Sequence, residues 1–87
     1  MSYTKFARSF FSAYTKSLRS HRKLTQEEMS EQLHISWRSY SDLERGKSGF
    51  SAKSLLFLML MLNQEEAMAL LAEARVQLQE LIETDDL

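Results

Sequence analysis

TQEEMSEQLHISWRSYSDLERG, residues 25–46, is the stretch whose local chemistry decides how the chain folds. Thr25 is placed to cap a helix, and Glu28 can reach back to it. That S/T-x-x-E arrangement satisfies two free backbone N–H groups reciprocally. Leu24 before the cap and Met29 inside it form a hydrophobic staple. Met29, Ser30 and Leu33 then mark one inner face about two turns long. Ser36 offers a second cap, Ile35 and Tyr40 a second staple, and Tyr40 and Leu43 continue the inner face. Gly46 supplies the left-handed residue that ends a helix at low steric cost. Only His34 and Ile35 separate the two helices, too few to lay them side by side, so they must cross steeply.

With Tyr40 and Leu43 turned inward, the second helix leaves Trp37, Arg38, Ser41, Asp42 and Arg45 outside. Ser36 and Ser39 stand at its first turn, beside free N–H groups and the positive end of the helix dipole, where a phosphate is held well. An outer face carrying tryptophan, arginine and hydroxyls suits the major groove, which admits one helix and presents base edges to it.

Thr-Gln-x-Glu at 25–28, a small residue at Ser30, Ile35 after the turn, Ser39-Tyr40 and Leu-Glu-Arg-Gly at 43–46 resemble the lambda Cro/repressor type of helix-turn-helix domain. The resemblance implies an all-α, five-helix lambda-repressor-like fold with the helix-turn-helix at its second and third helices. It also implies that Arg19, seven residues before Gln26, pairs with Glu44 at the end of the recognition helix. Gln26 and the start of its helix would hold DNA backbone. The chain departs from the pattern in two places. His34 stands where glycine is usual, at a left-handed position that costs a non-glycine residue about 1 kcal/mol. Trp37 replaces a polar base-reader, so base preference does not carry over.

The whole chain is consistent with that architecture. Its 87 residues suit one domain, the helix-turn-helix lying within it at 25–46. Proline is absent and glycine occurs only at 46 and 49, so little breaks helices elsewhere. Cysteine is also absent, which excludes a disulfide framework and thiolate metal sites and agrees with a reducing, cytoplasmic setting. MSYTKFARSFF lacks a continuous apolar core, so no secretory signal is expected. A net charge of −1 hides an asymmetry. Residues 1–53 carry ten Lys/Arg against five Asp/Glu, whereas residues 54–87 carry one Arg against seven Asp/Glu. The half holding the motif is basic, and binding depends on the local face rather than on the average.

Before the motif, Tyr3, Phe6, Ala7, Phe10, Phe11, Tyr14 and Leu18 recur at helical spacing and predict a helix over 3–21 with one apolar stripe. Core packing is the reading for these aromatics, since platforms that stack unpaired bases sit on sheets or barrels. His21-Arg22-Lys23 reads as a solvated basic link near phosphate. Neither histidine has the partners of a metal ligand, and no cofactor is expected. After the motif, Lys47 and Lys53 extend Arg45 into a basic rim suited to phosphates. Ser51 caps a fourth helix whose run Leu55–Leu62 is apolar at every position yet too short to span a membrane. Such a helix must be covered all round, by its own chain or by a second copy. Met59 and Met61 read as gap-filling core residues. Asn63 and Glu66 open a fifth helix, about 63–83. Its apolar face, Ala67, Leu70, Leu71, Ala74, Leu78, Leu81 and Ile82, approaches a heptad seam for packing or dimerisation. Thr84 to Leu87 should fray.

The expected function is therefore sequence-specific binding of double-stranded DNA by a small, homodimeric transcriptional regulator. Ser36, Trp37, Arg38, Ser41 and Asp42 would face bases. Thr25, Gln26, Ser39, Arg45, Lys47 and Lys53 would position phosphates. The alternative is a helical protein-interaction module, or an antitoxin, engaging a partner through the acidic C-terminal half. No catalytic constellation or glycine-rich phosphate loop points to an enzyme.

Overall fold

The structure, a computed structural model, describes residues 2–85. Five helices follow one another: α1 (Tyr3–His21), α2 (Gln26–Gln32), α3 (Trp37–Glu44), α4 (Ala52–Met61) and α5 (Gln64–Asp85). The described residues contain no strand. The all-α, five-helix expectation holds, with boundaries within two residues of those read from caps and periodicity.

Each start has a side chain to satisfy it. Ser2, Thr25, Ser36 and Ser51 accept from the N–H three residues on, at 3.1–3.2 Å. Asn63 Oδ1 does the same for Glu66 at 2.8 Å, and Glu66 returns the bond to Asn63 N at 2.9 Å. The ends of α1, α2 and α3 share one device. In each, a residue with positive φ sits just past the helix: Lys23 at 55°, His34 at 57° and Gly46 at 74°. The amide after it bonds back five residues, Leu24 N to Arg19 O, Ile35 N to Ser30 O and Lys47 N to Asp42 O, at 2.8–3.1 Å. These are Schellman closures, and only one of the three uses glycine.

Leu18, Met29, Leu33, Tyr40 and Leu58 form the buried centre, ringed by half-buried Phe11, Leu24, Ile35, Phe50 and Phe57 among others. Full burial of each large apolar side chain contributes about 1.5–3 kcal/mol. Both residues of each proposed staple belong to this cluster or its ring. Thr15, Ser30 and Ser54 are buried too. Each hydroxyl donates to a backbone carbonyl of its own helix or cap, Phe11, Glu27 and Ser51 respectively, which removes the penalty for burying it.

The α4 run is not fully covered within the chain, one of the two outcomes expected of it: Leu58 is buried, but Leu56 and Leu60 are 69% and 80% exposed. Two expectations need correction. Met59, at 45% exposure, is no core residue, unlike half-buried Met61. On α5 the inner line runs Ala67, Leu70, Ala74, Gln77 and Leu81, while Leu71, Leu78 and Ile82 are exposed. Strict three–four spacing selects Gln77 over the more apolar Leu78, because position around the helix decides which residue faces its neighbour. Thr84 and Asp85 are helical, and the fraying expected of Asp86 and Leu87 lies outside the described residues.

Arg22 is also not a solvated link. Its guanidinium donates to both carboxylate oxygens of Glu66 at 2.6 and 2.7 Å and to Met61 O at 2.9 Å. One side chain thereby ties the end of α1 to the end of α4 and the start of α5. Glu66 is held below the usual carboxylate range, first by the Asn63 amide and then by Arg22.

Candidate nucleic-acid interface

α2 and α3 pack on each other, and α3 packs on α1. The turn between them is fastened from behind by α4. The His34 ring stacks on Phe57 with centroids 3.9 Å apart, and Lys53 Nζ donates to His34 O at 2.9 Å. A histidine in place of glycine thus brings an aromatic contact that offsets the cost of its left-handed backbone.

Beneath α3, Glu44 is 4% exposed. Arg19 Nε and Nη2 donate to its two carboxylate oxygens at 2.7 and 2.9 Å, and Gln26 Nε2 reaches Oε1 at 3.3 Å. Arg19 Nη1 also donates to Leu24 O at 3.1 Å. Burial alone would raise the Glu44 carboxyl. Hydrogen bonding from Arg19, aided by Tyr40 and Gln26, outweighs burial and holds the group below its ordinary range. The Tyr40 hydroxyl is buried without a well-formed hydrogen bond, and burial followed by the nearby carboxylate pushes its ionisation upward. Ser12 Oγ caps the region by donating to Glu44 O at 2.5 Å. The first turn of α2 and the last turn of α3 are therefore joined to α1 through one buried carboxylate.

Above that anchor, Ser36, Trp37, Arg38 and Ser39 are exposed, Trp37 by 59%, while Ser41 and Asp42 are half-buried. The hydroxyls are occupied locally: Ser36 Oγ accepts from Ser39 N and donates to Ser39 Oγ at 2.9 Å. Thr25 Oγ1 serves the α2 cap. Asp42 Oδ1 accepts from Arg45 Nη2 at 2.8 Å, so the carboxylate expected to face a base steadies the neighbouring arginine. Lys47 is exposed beyond it, and Lys53, committed to the turn carbonyl, stands at the start of α4. Thr25 stands at the start of α2, and Ser36, Trp37, Arg38 and Ser39 stand at the start of α3. Gln26 and Lys53 are braced by protein partners. Sequence reasoning missed Phe57 as the support of the turn. The signal was present in the aromatic at 57 within an otherwise aliphatic run.

A family model described as a helix-turn-helix domain matches residues 16–78, most of the chain. The chain belongs to this helix-turn-helix family. No curated protein and no solved structure matches it. The matched span of the helix-turn-helix domain begins within α1, ahead of Arg19, and ends in α5, so it includes the Glu44 anchor, the Phe57 support and the Arg22–Glu66 tie. Among the described residues no group of His, Cys, Asp or Glu could hold a metal ion, and no helix is long and apolar enough to cross a membrane.

Proposed function

We propose that the chain is a sequence-specific binder of double-stranded DNA, a small transcriptional regulator of the lambda Cro/repressor type, with α3 lying in the major groove. The observation that carries this is the exposed Trp37–Arg38 edge on a helix anchored from below by buried Glu44. A rigid support matters because base readout needs side chains held in register. Arg38 is the residue for a bidentate guanine contact, and Trp37 packs against a thymine methyl or a sugar. Ser36, Ser41 and Asp42 complete the base-facing set, Asp42 by orienting Arg45 or by accepting from a cytosine amino group. Thr25, Gln26, Ser39, Arg45, Lys47 and Lys53 position the backbone.

The uncovered face of α4, Leu56, Met59 and Leu60, supports a homodimer, which would present two α3 helices about 34 Å apart to a near-palindromic site. The test is a salt titration of duplex binding with two variants. Affinity falls steeply as salt rises. Arg38→Ala erodes discrimination between sites by about 1–3 kcal/mol, whereas Lys47→Ala weakens all duplexes alike and lowers the salt slope. Absence of duplex binding at low salt would overturn the reading in favour of a protein-interaction module.

A further inference from the structure

α5 runs antiparallel to α1, with His21 and Glu66 lining one end of their shared flank and Phe6 and Thr84 the other. Along this flank lie three adjoining hollows of roughly 390, 420 and 490 Å³, each lined by Glu73. Half-buried Phe6, Phe10 and Tyr14 supply an aromatic floor. Ser9, Ala13 and Ser17, each one helical turn from the next, make the α1 wall low enough for a third helix to approach closely. The α5 rim is anionic. Glu73 and Glu80 are exposed, and neither has a cation within 4.0 Å among the described residues.

From this groove and its unneutralised rim we infer a docking site for a basic amphipathic helix of a partner protein, seated between α1 and α5. Apolar side chains of the partner fill the aromatic floor, the helix-in-groove mode of recognition. Glu73 and Glu80 are seven residues apart, about 10.5 Å along the axis, so the partner's Lys or Arg residues pair with them at heptad spacing. The groove faces away from the DNA-reading side. Ser12 and Arg19, which meet Glu44, lie about 100–160° round α1 from Ala13, Phe6 and Tyr14. Partner and duplex can therefore be held together. The acidic character of α5, which weakens a DNA binder if it faces phosphate, becomes a recognition element when it faces a cationic helix.

The test uses the full ¹⁵N-labelled chain and a 15-residue leucine–lysine amphipathic peptide, with a twin in which glutamate replaces every lysine. Amide shifts on titration should cluster at Ser9, Ala13, Ser17, Glu73 and Gln77 for the lysine peptide only. The double variant Glu73→Lys/Glu80→Lys should weaken binding at least tenfold without changing the melting curve, since both side chains are exposed. Ala13→Glu separates seating in the groove from attraction to its surface. It adds negative charge but obstructs the α1 wall, so weaker binding supports the proposal and stronger binding overturns it. Equal binding of the two peptides, shifts confined to α3 or α4, or self-association abolished by Ala13→Glu would each overturn it as well. Its failure leaves the DNA reading standing, because none of these residues lies on α2 or α3.

Discussion

Glu44→Ala tests the anchor on which the α3 edge rests. The wild-type carboxylate is 4% exposed and accepts two charge-assisted bonds from Arg19 and one from Gln26. Truncation leaves the Arg19 guanidinium, 23% exposed, with Leu24 O as its remaining partner. Breaking one side of such a pair costs about 3–5 kcal/mol, because the surviving charge stays buried. For a domain of this size each kcal/mol moves Tm by about 4–8 °C, so a fall of roughly 12–40 °C is expected. Thermal and urea unfolding followed by circular dichroism at pH 7 measure it. Replacing both partners, Arg19→Leu with Glu44→Leu, should recover most of the loss, since neither charge then remains. The pH profile gives an independent readout. The folded Glu44 carboxyl titrates below its unfolded value, so the unfolded chain binds more protons in acid. Its stabilisation is complete above about pH 4.3 and is lost as pH falls through the folded value; Glu44→Ala should flatten that acid limb. A Tm within about 3 °C of wild type, or an unchanged acid limb, would refute the reasoning.

The left-handed closures make a contrasting pair. Lys23→Gly removes a backbone penalty and should raise stability by up to about 1 kcal/mol, whereas His34→Gly also removes the ring stacked on Phe57 and should gain less or lose; unfolding curves compare them. Phe57→Leu should loosen the turn and lower DNA affinity more than Tm, read by duplex titration beside melting. Arg22→Met should detach the start of α5, seen as faster amide exchange from Glu66 onward with α2 and α3 still protected. Leu60→Lys on the exposed α4 face should shift sedimentation to monomer at unchanged melting of the monomer itself.

The boundaries of all five helices were legible because they rest on local chemistry: a hydroxyl or amide at each start and short spacing between the rods. The Arg19–Glu44 partnership was accessible only through family resemblance, since residues 25 apart give no local signal of contact. What stayed hidden was tertiary. Thr15 reads as polar, yet its hydroxyl returns to its own helix and lets it enter the core. Lys23 shows nothing of its positive φ, because the backbone closure that imposes it depends on where Leu24 packs. Gln77 displaced Leu78 from the seam because a narrow contact line selects by angle before hydropathy. In the candidate site the exposure of Trp37, Arg38 and Arg45 was readable by subtraction from the inward face, whereas the half-burial of Ser41 and Asp42 was not. The bracing of Gln26 and Lys53 was not, since it depends on acceptors that distant parts of the chain, Glu44 and the His34 carbonyl, bring within reach.

The tie made by Arg22 fastens α5 at its root only. Beyond Glu66 the helix continues for nearly 20 residues along α1, with Leu70 and Leu81 its buried apolar anchors. Mechanically this is a cantilever: pinned at one end, lightly rested along its span. Thermal agitation should grow with distance from the pin, and any load on the far tip arrives at Arg22 as torque. Because that pin is rooted at the end of the same helix whose Arg19 grips Glu44, bending of the beam has a short path to the reading head.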